Sequence, residues 1–107
     1  IEAGRLEVTR MRVVPPVQRY VVDIARATRA HPSVLLGVSP RGAASHLHAA
    51  KAWAWLAGRD FVTPDEGKAI ARPALRHRLQ LRPELELEGA TADTVLDSVL
   101  ATTPAPR

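Results

Sequence analysis

Apolar residues recur with helical spacing in the stretch that follows Pro15-Pro16. Positions three or four residues apart lie on the same face of an α-helix, so such a pattern marks an amphipathic helix. The residue before a proline is pushed out of helical geometry, and His31-Pro32 therefore ends the pattern. The spacing predicts a helix over about residues 16–30 with one apolar face, formed by Val17, Tyr20, Val21, Ile24 and Thr28.

A second helix is predicted from Pro40 to about Ala57, after a short apolar connector over residues 33–38. Ser39 is a good N-cap because its hydroxyl can accept from the free N–H groups of the first turn, and Pro40 fits the first helical position. Gly58 is the natural stop. The predicted inward stripe comprises Ala43, Leu47, Ala50, Ala54 and Ala57, flanked by Trp53 and Leu56. Its small alanine side chains would let another helix approach closely.

Thr63-Pro64-Asp65-Glu66 predicts the start of a third helix. Threonine can cap it, proline occupies the first position, and the two acids lie at the positive end of the helix dipole, with Glu66 at the capping-box position. Gly67 weakens the helix by up to ~1 kcal/mol relative to alanine, so we expect a short helix. Pro73 is expected to begin a separate short turn.

The stretch over residues 79–88 alternates leucines with polar residues around Pro83, which predicts an extended or hairpin-like segment with an acidic face. A last helix is predicted from about Thr91 or Ala92 to Ala101. Residues 1–14 are expected to lead in from a preceding domain, residues 15–103 to form one helical domain, and residues 104–107 to form a flexible tail. The predicted fold class is mainly α, a small bundle of four to five helices.

Composition narrows the possible functions. The 107 residues suit one small domain, and the chain lacks cysteine, so thiolate metal sites and disulfides are excluded. The four histidines show no zinc-ligand spacing, and no metal site is predicted. No apolar run reaches membrane-spanning length, and we expect a cytoplasmic protein. The net charge of +4 comes mostly from scattered arginines. Because the chain begins at Ile1, we expect a fragment of a longer protein.

Ser39-Pro40-Arg41 is the most distinctive local feature, because it places a cation in the first turn of a helix. A cation there costs a few tenths of a kcal/mol against the helix dipole. An anion at the helix start would turn this cost into a gain, since it would accept hydrogen bonds from backbone N–H groups and from the guanidinium together. The residues alone leave two interpretations open, a phosphate-type contact or an exposed, solvated arginine.

Four phrases stand out along the chain: Ala27-Thr28-Arg29, Gly37-Val38-Ser39-Pro40-Arg41, Gly58-Arg59-Asp60-Phe61-Val62-Thr63-Pro64-Asp65 and Leu75-Arg76-His77-Arg78. Together they resemble the C-terminal lid domain of MoxR-type AAA+ ATPases, over most of residues 8–104. The sequence departs from the usual pattern of that family at Val38 and Gly42, where alanine is common, and at Gly67, where an aliphatic residue is common.

The resemblance implies a helical lid that closes over a nucleotide held mainly by another domain. The family's sensor-2 arginine falls on Arg41, beside Ser39 and Pro40, where it would reach the γ-phosphate of ATP. The implied cofactor is ATP, with Mg²⁺ held by the missing core. The implied partners are the protein's own AAA+ core, neighbouring subunits of a hexameric ring, and client proteins that the ring remodels. No phosphate-loop motif occurs in this sequence, so the fragment alone is expected to be inactive.

Two alternative functions and three residue roles stay open. The chain could be a small basic DNA-binding domain, although the connector between the first two helices is longer than a helix-turn-helix allows, or a protein-interaction bundle. Arg29 could have a structural role at the end of its helix or face the nucleotide or a neighbour. Trp55 could cover a second packing surface within the bundle or mark an interface. His77 and Arg78 could pair with the acidic segment that follows them.

Overall fold

The computed structural model describes residues 13–106, and this part of the chain is mainly helical, as predicted. It contains five helices and a two-stranded antiparallel sheet. The predicted lead-in falls almost entirely outside the described residues, as does the last residue of the tail. The elements in chain order are α1 (Pro15–Ala30), β1 (Val34–Leu36), α2 (Pro40–Leu56), α3 (Pro64–Leu75), β2 (Gln80–Leu81), α4 (Pro83–Leu87) and α5 (Ala92–Thr102).

The core forms around α1, whose predicted apolar face is confirmed. Tyr20 and Ile24 are fully buried and pack with Leu75 of α3 and Leu96 of α5. Burial of each large apolar side chain stabilises the fold by about 1.5–3 kcal/mol. A second, smaller cluster joins the start of α1 to the far half of α2 and contains Val17, Ala50, Ala54 and Val62.

The buried side of α2 differs from the predicted stripe. Gly42 and His46 are buried with Ala43, Ala50 and Ala54, whereas Leu47 is only partly buried. The residues expected to flank the stripe are exposed, Trp53 by half and Leu56 by three quarters of its surface. His46 is tolerated inside because its Nε2–H donates to the carbonyl of Gly67 at 2.7 Å. The prediction is confirmed for Ala43, Ala50 and Ala54, but it missed Gly42 and His46 and was wrong for Ala57, which is exposed.

The helix that begins at Pro64 is longer than predicted. It runs for 12 residues and continues through Pro73, which does not start a separate turn. A proline removes one backbone hydrogen bond from a helix interior, but Pro73 lies in the last turn and faces solvent. Two ion pairs support this segment against α5, with Arg72 to Asp97 at 2.8 Å and Arg76 to Asp93 at 3.2 Å.

The segment over residues 79–88 is only partly extended. Gln80 and Leu81 form β2, which pairs with β1 across a long sequence separation. The residues after Pro83 form the short helix α4 instead of the second half of a hairpin. Proline begins this helix because its fixed φ suits the first helical position, and Gly89, at a φ of +99°, ends it.

Candidate functional site

The start of α2 has the predicted cap. The hydroxyl of Ser39 accepts from the N–H of Gly42 at 3.1 Å, and the carbonyl of Ser39 accepts from the N–H of Ala43 at 2.9 Å. Pro40 has no N–H to satisfy. Within residues 13–106, the N–H of Arg41 is therefore the first-turn donor of this helix that has no hydrogen-bond partner. Fewer backbone groups remain for an anion than the sequence suggested, so the side chains matter more.

Arg41 is exposed, and the first turn of α2 contains no acidic residue. The ion pairs found within residues 13–106 do not include Arg41. Its charge thus lies at the positive end of a helix dipole without an ion-pair partner among residues 13–106. The geometry favours an anion that comes from outside the domain.

Arg78 also lies at the start of α2, which the sequence did not predict. A Cβ atom added to Gly42 would come within 3.4 Å of Cδ of Arg78, so the stem of Arg78 crosses the first turn of the helix. In the part of the chain that the structure describes, Arg78 forms no ion pair with the acidic segment that follows it. That pairing is not observed among the described residues. The fold brings the stem of Arg78 to the helix start that carries Arg41, and the glycine at 42 is the one feature that could have indicated this contact.

The segment before the helix is held by the end of α1. Thr28 accepts from the N–H of Val38 at 2.9 Å, and the guanidinium of Arg29 donates to the carbonyl of Val38 at 2.7 Å. Of the two roles left open for Arg29, this contact supports the structural one. The two contacts connect the phrase Ala27-Thr28-Arg29 to the phrase that contains Arg41.

A groove of about 380 Å³ runs between α1 and α2 and reaches Pro40 at the start of α2. Its floor is apolar, and Arg26 and Arg29 line one end. Trp55 lies farther along α2, is 41% exposed, and belongs to neither core cluster. Trp55 therefore has surface available for an interface, and more than half of its surface is covered within the domain.

The corner between α2 and α3 has its own charged cluster, but its groups satisfy one another. Glu66 is buried and is bonded by the guanidinium of Arg59 and by the N–H and hydroxyl of Thr63. Burial alone would raise the pKa of Glu66, yet the hydrogen bonds from Thr63 and the charge of Arg59 outweigh it and lower that pKa below 4.5. The cluster is a complete structural unit, as its capping pattern predicted.

The described residues include no group of three or more histidine, cysteine, aspartate and glutamate side chains that could hold a metal ion. Within the same part of the chain, every helix is too short or too polar to cross a membrane.

Comparison with known proteins gives consistent matches. Residues 26–99 match the AAA lid domain family. YeaC of Bacillus subtilis is 40% identical over 100 residues, which are 94% of this chain and 31% of YeaC. MoxR of Paracoccus denitrificans is 36% identical over 86% of this chain and 31% of its own length. Chaperone MoxR1 of Mycobacterium tuberculosis is 31% identical over 82% of this chain and 26% of its own length.

The fold is also found in a crystal structure from Cytophaga hutchinsonii that is provisionally described as an ATPase. The two superpose with a TM-score of 0.89 and 28% sequence identity, over 96% of this chain and 34% of the other. The chain therefore spans about a third of the length of the proteins that it matches.

Proposed function

The chain belongs to the AAA lid domain family and is the lid of a MoxR-type AAA+ protein, and from this premise we propose that Arg41 is its sensor-2 arginine. In this proposal, Arg41 contacts the γ-phosphate of an ATP molecule that is bound mainly by the core domain of the same protein. Ser39 and Pro40 take part by fixing the helix start from which Arg41 projects.

The observation that carries the proposal is the uncompensated charge of Arg41. The side chain is exposed in an acid-free first turn, and the stem of Arg78 crosses the same turn. A cation at the positive end of a helix is unfavourable in the isolated domain, and a phosphate makes the same arrangement favourable. A charge-assisted hydrogen bond of this kind is worth roughly 1.5–3 kcal/mol.

Such a contact would couple the lid to the state of the nucleotide. ATP offers a γ-phosphate and ADP does not, so the contact favours the closed lid only before hydrolysis and phosphate release. The core domain would supply the phosphate loop and Mg²⁺, and rings of such subunits, hexamers in our proposal, would use lid movement to remodel client proteins in the cytoplasm. The name of the relative Chaperone MoxR1 supports the chaperone-like part of this proposal.

The isolated lid is proposed to be inactive. Its sequence contains no phosphate loop, so nothing in it can cradle the phosphates during transfer. One contact of roughly 1.5–3 kcal/mol is smaller than the ~4 kcal/mol that millimolar binding requires. Calorimetry on the isolated lid should detect ATP binding no tighter than about millimolar. Micromolar binding would contradict the proposal that ATP is bound mainly by the core domain.

The direct test is Arg41→Ala in the full-length protein, compared with Arg19→Ala on the exposed side of α1. Loss of a contact of 1.5–3 kcal/mol predicts a reduction in ATP turnover of about 10- to 150-fold for Arg41→Ala. Arg19→Ala is expected to leave turnover unchanged, and both variants should melt like the wild type. Unchanged turnover in a folded Arg41→Ala protein would contradict the sensor assignment.

A further inference from the structure

The backbone of Val38 is held on both sides by the end of α1. Its N–H donates to the hydroxyl oxygen of Thr28 at 2.9 Å, and its carbonyl accepts from the guanidinium of Arg29 at 2.7 Å. Val38 and Thr28 are both fully buried. Loss of the contact with Thr28 leaves the buried N–H of Val38 unsatisfied, whereas the contact with Arg29 is part-buried, so water can replace the guanidinium of this exposed residue.

The direction of the Thr28 contact is fixed. The same hydroxyl donates its proton to the carbonyl of Ala25 at 2.6 Å, so a lone pair remains to accept from Val38. Gly37 adds a third restraint, because a Cβ atom there would lie 2.6 Å from Cα of Arg29. The chain therefore packs directly on the backbone of α1 just before the helix that carries Arg41.

We propose that Thr28 and Arg29 are positioning residues that act through Arg41, by fixing the backbone from which α2 begins. This inference rests on the proposed contact between Arg41 and the nucleotide. Val38 is followed by the N-cap Ser39, and Arg41 is the second residue of the helix, so a shift of Val38 changes the helix start and the aim of the guanidinium. A displacement of about 1 Å in a catalytic arrangement can cost about 10²-fold in rate.

The test uses Thr28→Val, which keeps the shape of the side chain and removes the hydroxyl, in the full-length protein. We expect ATP turnover to fall about tenfold or more in the presence of Arg41, and less than about twofold when Arg41→Ala is already present. Thr28→Ser, which restores the hydroxyl, should recover most of the activity. Thr102→Val serves as the control, because the hydroxyl of Thr102 bonds within its own helix on the surface.

A purely structural role gives a different pattern. Equal losses with and without Arg41, or no loss in a folded Thr28→Val protein, would overturn the proposal. If Thr28→Val does not fold, Arg29→Met replaces it, because Arg29 is exposed and the substitution removes the guanidinium that bonds to Val38. Arg29→Lys provides the rescue in that series and Arg19→Met the control.

Hydrogen exchange of residues 37–43 in the same proteins separates this proposal from the sensor assignment. Thr28→Val should accelerate exchange in this segment whether or not Arg41 contacts the nucleotide. Faster exchange in Thr28→Val together with normal ATP turnover in Arg41→Ala would show that the sensor assignment is wrong, although Thr28 does hold Val38 in place. Unchanged exchange in Thr28→Val would overturn the positioning role itself.

Discussion

The starts of α2 and α3 use the same local design with opposite charges. Each has a hydroxyl residue at the N-cap and a proline at the first position, but Arg41 follows in α2 and Asp65 follows in α3. In α3 the third helical residue is Glu66, which is buried and bonded by Thr63 and Arg59. In α2 the third residue is Gly42, which leaves space that the stem of Arg78 crosses.

This difference distinguishes a helix start that stabilises the fold, in α3, from one that we assign to function, in α2. The start of α3 contains both signs of charge and needs nothing from outside the domain. The start of α2 has the cation Arg41 at the positive end of a helix, where its charge is unfavourable until an anion binds. Substitutions at the start of α3 should therefore affect folding, whereas those at Arg41 should affect the function of the full-length protein.

The largest effect is expected for Glu66→Ala. The change leaves the part-buried N–H of Thr63 without its acceptor and Arg59 without its partner, and we expect a loss of about 2–3 kcal/mol in the free energy of unfolding, measured with urea. Glu84→Ala on exposed α4 is the control and should change stability by less than ~0.5 kcal/mol. An equally small change for Glu66→Ala would remove the contrast between the two helix starts.

A smaller effect is expected for Gly42→Ala, which tests how tightly the start of α2 is packed. The new Cβ would lie 2.8 Å from Cγ1 of buried Val38, so we expect a cost of about 1–3 kcal/mol. Val38→Ala opens the space that the new methyl group needs. In a double-mutant cycle the pair should cost less than the sum of the single changes, and simple additivity would show that the two side chains do not compete for space.

The contact between α2 and α3 should depend on pH through His46. Burial lowers the pKa of His46 below its ordinary 6.5, although the bond to Gly67 opposes this, and its Nδ1 has no partner within residues 13–106. At low pH the unfolded chain therefore binds a proton on His46 that the folded chain does not bind. The contribution of His46 to the free energy of unfolding is fully present above pH 6.5 and decreases as the pH falls below 6.5. The slope should approach at most about 1.4 kcal/mol per pH unit.

Urea unfolding between pH 5 and 8 checks the contribution of His46. His46→Leu should flatten the stability profile in this range, whereas His48→Leu, on the exposed side of the same helix, should leave its slope as in the wild type. A slope that persists in His46→Leu would assign the titration to another group.

The smallest effects on stability are expected for substitutions of Ser39 and Arg41. Ser39→Ala removes the cap of Gly42 and should cost about 1 kcal/mol. Arg41→Ala should change stability by only a few tenths of a kcal/mol, with a gain favoured because a cation leaves the positive helix end. A loss above about 1 kcal/mol, measured by thermal unfolding, would mean that Arg41 has a structural role in the domain.

The prolines show how far the sequence could predict the fold. Pro15, Pro40 and Pro64 were correctly associated with helix starts, because a capping or apolar pattern agreed with each. Pro83 also begins a helix, but the alternating leucines around it favoured an extended segment. Pro73 was wrongly expected to begin a turn, because packing of α3 against α5 overrides its local preference.

Only part of the candidate site could be predicted from the sequence. The cap at Ser39 and the unusual position of Arg41 follow from local rules that need no tertiary structure. The contacts of Arg78 with Gly42, and of Thr28 and Arg29 with Val38, join segments that are distant in sequence. Such contacts depend on how the helices pack, which periodicity cannot specify.

The most direct test of the central claim compares the affinities of ATP and ADP in full-length wild-type and Arg41→Ala proteins. Nucleotide affinities can be measured by fluorescence titration without turnover, using a slowly hydrolysed ATP analogue. If Arg41 contacts the γ-phosphate, the substitution should weaken ATP binding about tenfold or more and leave ADP binding unchanged. Equal weakening for both nucleotides, or no weakening for either, would contradict the assignment of Arg41 as the sensor of nucleotide state.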